Sequence, residues 1–192
     1  MTAQETSEKI LQIAGKLFVK NGFTATSMRE IAAEAGIGKA TIYYHFPDKD
    51  SIAAEMIKRT FGDMRQALKI LEAEQDPRER IRVAVTQSVE YLLESADIIS
   101  VLRREVGSAR DVMQTEFRGF FLEYMNLLTE AIQRGIDSGQ FRPVDPKAAS
   151  RVLMTMMQGT FASVYLSGIK YRSNEEAAGS LLDIFFHGIE KH

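Results

Sequence analysis

Residues 27–49 read SMREIAAEAGIGKATIYYHFPDK, and the spacing within this stretch predicts two short helices joined by a glycine turn. Ser27 can cap a first helix, with Glu30 three residues later as the reciprocal member of a capping box, so the helix runs from Met28 to about Ala35. Gly36 ends it, because a glycine just past the last helical residue takes the positive φ that a sharp turn needs. The turn closes over Gly36, Ile37 and Gly38, and a second helix starts at Lys39. Ile31, Ile37 and Ile42 are spaced to share an apolar core, and the small Ala32 lets the helices approach. This is a helix-turn-helix. Thr41, Tyr43, Tyr44 and His45 are left pointing outward on the second helix, able to reach phosphates and base edges in a major groove of double-stranded DNA. Ser27, Arg29, Lys39 and Lys49 lie at helix ends, where side chains and backbone N–H groups favour phosphate.

The run AGIGKATIYYHFPDKD, residues 35–50, resembles the recognition-helix signature of the TetR-type transcriptional repressors. That family places Gly, an aliphatic, Lys, Thr, an aromatic, Tyr, His or Phe, and Lys at these spacings. The resemblance covers about the first 60 residues; beyond them it rests on length, helical pattern and order of elements. Many members carry Ser or Thr where this chain has Gly38, so the side-chain cap on the second helix is missing, a small loss because Gly caps nearly as well as Thr.

Working outward, the periodicity is helical almost throughout, and an all-α fold is expected: residues 1–48 as a three-helix DNA-binding domain, and 49–192 as a larger helical domain for effector binding and dimerisation. Ile10, Leu11, Ala14, Leu17 and Phe18 form one helix face that Asn21-Gly22 ends, with Phe23 and Phe46 closing a small core. After Pro47-Asp48 a long helix runs from about Lys49 to Leu71 along Ile52, Met56, Ile57, Phe61, Met64 and Leu68. Residues 72–77 are a polar loop, followed by a helix through Ile81, Val85, Val89 and Leu92, a short helix around 98–106, and a long one over 110–138 that ends at Gly139. The last two helices, about 146–168 and 174–190, are apolar nearly all round, which implies that each faces both the core and a partner. Gly159, Ala162 and Ser163 allow close helix approach, and Phe185, Phe186 and Ile189 could complete a four-helix interface in a homodimer. The resemblance implies the same, since TetR-type repressors dimerise through their last two long helices.

Composition narrows the classes. The chain has 192 residues, 45% of them hydrophobic, a net charge of -2 and no cysteine, so disulfides and thiolate chemistry are excluded. The N-terminus has no apolar run suited to a signal peptide, and no eighteen apolar residues run together, so a soluble, cytoplasmic protein without membrane contact is expected. Residues 1–50 hold six Lys or Arg against six Asp or Glu; one subunit should bind DNA only moderately, and a dimer on a two-fold symmetric operator would double the contacts.

Other chemistries find little support. Gly36-Ile37-Gly38-Lys39 lacks the preceding strand and earlier glycine of a nucleotide loop, and Ala40 follows the Lys. His45, His187 and His192 form neither HExxH nor paired Glu-x-x-His spacings, so no metal and no cofactor is expected. No Ser, His and Asp set carries a catalytic motif, leaving a helical enzyme, or a helical ligand-binding protein without DNA recognition, as the alternatives. Five of the nine Met residues fall between 110 and 170 with Phe117, Phe120, Phe121, Phe161 and Tyr165. By spacing alone such stripes are ordinary core; the resemblance implies a small-molecule effector pocket among them, drawing on Arg103, Phe117, Phe121, Tyr124, Met157, Phe161 and Tyr165, with Arg104 and Glu105 as further polar anchors. It also implies that effector binding shifts the linking helix and moves the recognition helices out of register with the operator.

Overall fold

The computed structural model describes residues 2–71, 74–107, 109–167, 171 and 173–189, apart from the side chains of residues 70, 96, 100, 103, 104, 109, 161, 164–167 and 174. Over these the fold is all-α: α1 (Ala3–Asn21), α2 (Met28–Glu34), α3 (Lys39–His45), α4 (Lys49–Ile70), α5 (Pro77–Glu94), α6 (Ala96–Glu105), α7 (Ala109–Asp137), α8 (Pro146–Ser167) and α9 (Asn174–Ile189). None of these helices is long and apolar enough to cross a membrane. The chain forms two compact units, Met1–Phe61 with Ser95–Phe117, and Gly62–Glu94 with Arg118–His192, so α4 and α7 each give residues to both.

The first unit is built on α1, whose N-terminus is fixed by a capping box between Thr2 and Glu5. Its apolar stripe of Ile10, Leu11, Ala14 and Phe18 is buried, as are Ile31 and Ala32 of α2, Ile42 of α3, and Phe23 and Phe46 from the flanking turns. The Phe18 and Phe23 rings meet at 4.9 Å, and α1 packs on both α2 and α6. Ile37 departs from the expected three-isoleucine core: it is only half-buried, because it sits in the turn rather than on either helix.

In the second unit α5 packs on α8 and α9, and α8 on α9. Its core holds Ile81, Val85, Leu128, Ile132, Leu153 and Leu182. The turn after α7 folds back so closely that a Cβ at Gly135 would fall on the Phe141 ring, and it is pinned to the end of α9 where Arg142 N–H donates to the Ile189 carbonyl at 2.8 Å. This turn corrects one expectation. Phe185, Phe186 and Ile189 are buried inside the single chain, with Phe186 covered by the Phe141 ring at 6.1 Å and by the Arg78 guanidinium at 4.5 Å. Among the described residues, the exposed large apolar side chains on α8 and α9 are others, Val152 at 55% and Ile184 at 66% exposure. Gly159 is exposed, and Ala162 and Ser163 are half-buried.

Candidate nucleic-acid interface

The helix-turn-helix is set by its ends. Ser27 N–H donates to Glu30 Oε2 at 2.7 Å and Glu30 N–H to Ser27 Oγ at 3.2 Å, the reciprocal capping box that opens α2. Hydrogen bonding by Ser27, through its side chain first and its backbone second, holds the Glu30 carboxyl below its ordinary range. At the other end Gly36 takes φ 65°, and Gly36 N–H and Ile37 N–H donate to the carbonyls of Ala33 and Ala32 at 3.1 and 3.0 Å. These two bonds are the Schellman closure, which satisfies carbonyls the helix end would otherwise leave bare. Gly38 then caps α3 with no side-chain hydrogen bond.

Anchored inward by Ile42 alone, α3 turns its remaining side chains out. Tyr43 is 45% and Tyr44 82% exposed, large values for aromatic residues on so short a helix. Lys39 Nζ lies 6.0 Å from the Tyr43 ring centroid, and the Tyr44 and His45 rings meet edge-on at 5.2 Å. Ser27, Arg29, Lys39 and Thr41 are exposed and His45 is half-buried. The helix thus presents hydroxyls, an imidazole and an ammonium group on a rigid support, a set able to donate to phosphate oxygens and to base edges.

Lys49 is placed otherwise than expected. Its ammonium donates to the carbonyls of Phe23, Thr24 and Thr26 at 2.7, 3.3 and 2.5 Å and lies 4.6 Å from the Phe23 ring centroid. Three donors meet three acceptors, so this side chain ties the 23–26 loop to the start of α4 and is spent there rather than held out for a phosphate. Thr26, which drew no attention in the sequence, and Glu105, read there as a polar anchor of an effector pocket, complete the tie. Buried Thr26 donates its hydroxyl to the Gly22 carbonyl at 2.8 Å, and the Glu105 carboxylate accepts Thr24 N–H at 3.1 Å. Their partners lie between 4 and 81 residues away, and no local spacing signals the longer tie.

Of the residues assigned to an effector pocket, the Arg103, Phe161 and Tyr165 side chains lie outside the described residues, as do that of Arg104 and all of His192. Phe117, in the first unit, is exposed and sets its ring 6.3 Å from Phe61. In the second unit Phe121 is half-buried, whereas Tyr124 and Met157 are brought together in the core, the Tyr124 hydroxyl 3.5 Å from Met157 Sδ, with burial raising the phenol's pKa. A nearby cleft of about 230 Å³ is lined by Met64, Leu68, Ala84, Gln87, Ser88 and Tyr91 among others. Burial, followed by the charge of Asp63, pushes the Tyr91 hydroxyl up to about 12. Among the described residues no cluster of three or more metal-type ligands occurs.

Residues 10–56 match the family described as bacterial regulatory proteins, tetR family, and residues 74–162 match the tetracyclin repressor-like C-terminal domain. The HTH-type transcriptional repressor KstR2 of Rhodococcus jostii (strain RHA1) is 29% identical over 163 residues, 79% of this chain and 78% of that protein. Among solved structures, NalD, the secondary repressor of the MexAB-OprM multidrug efflux pump in Pseudomonas aeruginosa, superposes with a TM-score of 0.73 at 22% identity, covering 99% of each chain. A SmeT–triclosan complex gives 0.75 at 23% identity, covering 97% of this chain and 92% of the other.

Proposed function

Because this chain belongs to the TetR family of bacterial DNA-binding transcriptional regulators, we propose that it works as a homodimeric repressor on a palindromic operator and is released by a small apolar or amphipathic effector. Residues 1–48 read the DNA, and residues 49–192 bind the effector and the second subunit. Ser27, Arg29 and Lys39 hold phosphates, while Thr41, Tyr43, Tyr44 and His45 divide phosphate and base contacts among them. The observation that carries this reading is the outward set of α3, where two tyrosines stand 45% and 82% exposed on a helix fixed by a capped neighbour and a closed glycine turn. Two such helices, related by a dimer axis, would enter successive major grooves about 34 to 36 Å apart.

The effector reading draws support from the second unit, where a cleft between α4 and α5 has an apolar wall of Met64, Leu68 and Ala84 beside polar Gln87, Ser88 and Tyr91. The fold neighbour solved with triclosan accommodates a small apolar molecule on the same architecture. Helix α4 runs from Lys49 to Ile70 and gives residues to both units, and through it effector and operator would oppose each other, each weakening the other by the same factor. Such a regulator acts in the cytoplasm.

Selection of bound fragments from random duplex DNA by the full chain, at two salt concentrations, tests the reading. Enrichment of a two-fold symmetric sequence is the expected result. Salt-sensitive retention with no enriched sequence would overturn it, since phosphate contacts alone give that behaviour.

A further inference from the structure

We propose that a second cleft, of about 650 Å³ between α4, α5 and α7 in the second unit, is a binding site for an oxyanion, a carboxylate or phosphate group on a small ligand, with Arg80 as its fixed cation. Arg80 sits on the inner stripe of α5 with Ala84 and Ser88 and is only 3% exposed. A guanidinium cannot shed its proton in a protein, so its burial must be met by acceptors. It is not: Nε and Nη1 have no hydrogen-bond partner, and Nη2 lies 3.7 Å from Glu130 Oε2. That carboxylate is half exposed and already closer to another cation, with Oε1 accepting from Arg134 at 2.6 Å. One surface carboxylate is thus shared by two guanidiniums, and the buried one receives the longer, weaker share.

The walls point the same way. Arg65 and Lys69 of α4 and Arg134 of α7 join Arg80 around the cleft, so four cations face only two carboxylates, Glu123 and Glu130. An oxyanion in the cleft would offer the guanidinium a closer acceptor than the shared Glu130 carboxylate at 3.7 Å does. Leu68 and Leu127 share the wall, which favours an anion carrying an apolar stem, and the volume lies within the range of small-ligand sites. The proposal rests on the effector reading only in making this ligand a regulatory one; the binding itself does not involve DNA.

Calorimetric titration of the full chain with sodium octanoate, inorganic phosphate and uncharged octanol, at fixed ionic strength, separates the sources. Octanoate binding names a carboxylate ligand and phosphate binding a phosphate one; octanol is expected to bind at least about tenfold more weakly than the favoured anion. Arg80→Met should abolish the anion response while leaving the melting temperature unchanged or raised, because the carboxylate it leaves behind is half exposed and solvated. The solvent-facing Lys69→Gln should weaken binding several-fold and serves as the readout if Arg80→Met does not fold. Absence of saturable binding by either anion, or wild-type affinity in the variants that fold, would make Arg80 a structural cation only. Titrating the variants against operator DNA without ligand keeps this failure distinct from a failure of the repressor reading.

Discussion

Two glycines of the same turn respond to substitution in opposite directions. Gly36 has φ 65° and open space where a side-chain methyl would go, so Gly36→Ala meets no atom within 4 Å and its cost is purely that of the left-handed backbone, about 1 kcal/mol. Gly38 has φ -70°, and a Cβ there would sit at an ordinary 3.7 Å from Thr41 Oγ1. Gly38→Ser therefore adds the missing cap and should gain a few tenths of a kcal/mol. Thermal unfolding checks both; a Gly36→Ala variant as stable as the parent would remove the turn argument. Tyr43→Ala should lower operator affinity on the order of tenfold and leave melting and oligomeric state unchanged, as befits a side chain that is 45% exposed; loss of the fold would assign it to the core. At this scale the sequence was most legible where the partners are near neighbours, as with Ser27, Glu30 and Gly36. It misled at Lys49, whose carbonyl partners lie 23 to 26 residues back, where a lysine at a helix start reads as a solvent-facing cation.

Helix ends and helix crossings respond to different stresses. Glu30 and Asp48, in the first turn of α2 and at the start of α4, are both held below their ordinary values of 4.5 and 3.8, chiefly by side-chain hydrogen bonds from Ser27 and Ser51. A depressed folded value means stability that is present above the unfolded value and lost as pH falls through the folded one. Unfolding stability should therefore decline below about pH 4.5, and Glu30→Gln, which keeps the capping geometry without the titration, should flatten part of that decline; an unchanged slope would show that the α2 cap does not contribute to it. In the second unit Gly135→Ala forces a methyl onto the Phe141 ring and should cost about 1–3 kcal/mol by overpacking. Adding Phe141→Leu should recover part of the loss, and no recovery would place the strain elsewhere. The helices themselves were legible from apolar spacing. Which side of α9 faces its own chain was not, because Phe185, Phe186 and Ile189 sit in a helix apolar on most sides, and the ring that covers Phe186 comes from Phe141 in a turn 45 residues away.

For the molecule as a whole, charge argues that one reading head is not enough. The total is -2, and residues 1–50 carry equal numbers of basic and acidic side chains, so the proposed homodimer would gain phosphate attraction by doubling the contacts of a single subunit. With Phe185, Phe186 and Ile189 committed inward, the proposed homodimer would use the outer stripe of α8 and α9 among the described residues. There Val152 and Ile184 stand 55% and 66% exposed, beside exposed Gly159 and Ser180 that permit close helix approach. A carboxylate placed in the middle of such a face is paired with its own symmetry mate across a two-fold axis, where like charges repel and desolvation adds to the cost. Ile184→Glu and Val152→Glu should each convert a dimer to a monomer by light scattering while far-ultraviolet dichroism stays that of the parent, since neither side chain contributes to the buried core. Operator affinity should fall more than about tenfold, and the salt dependence of binding should drop toward half its slope as one set of phosphate contacts is lost. If both variants stay dimeric and bind operator as the parent does, the two-fold axis runs through another face. If they become monomers and still bind with the full salt slope, a single head is sufficient and the charge argument for dimerisation fails.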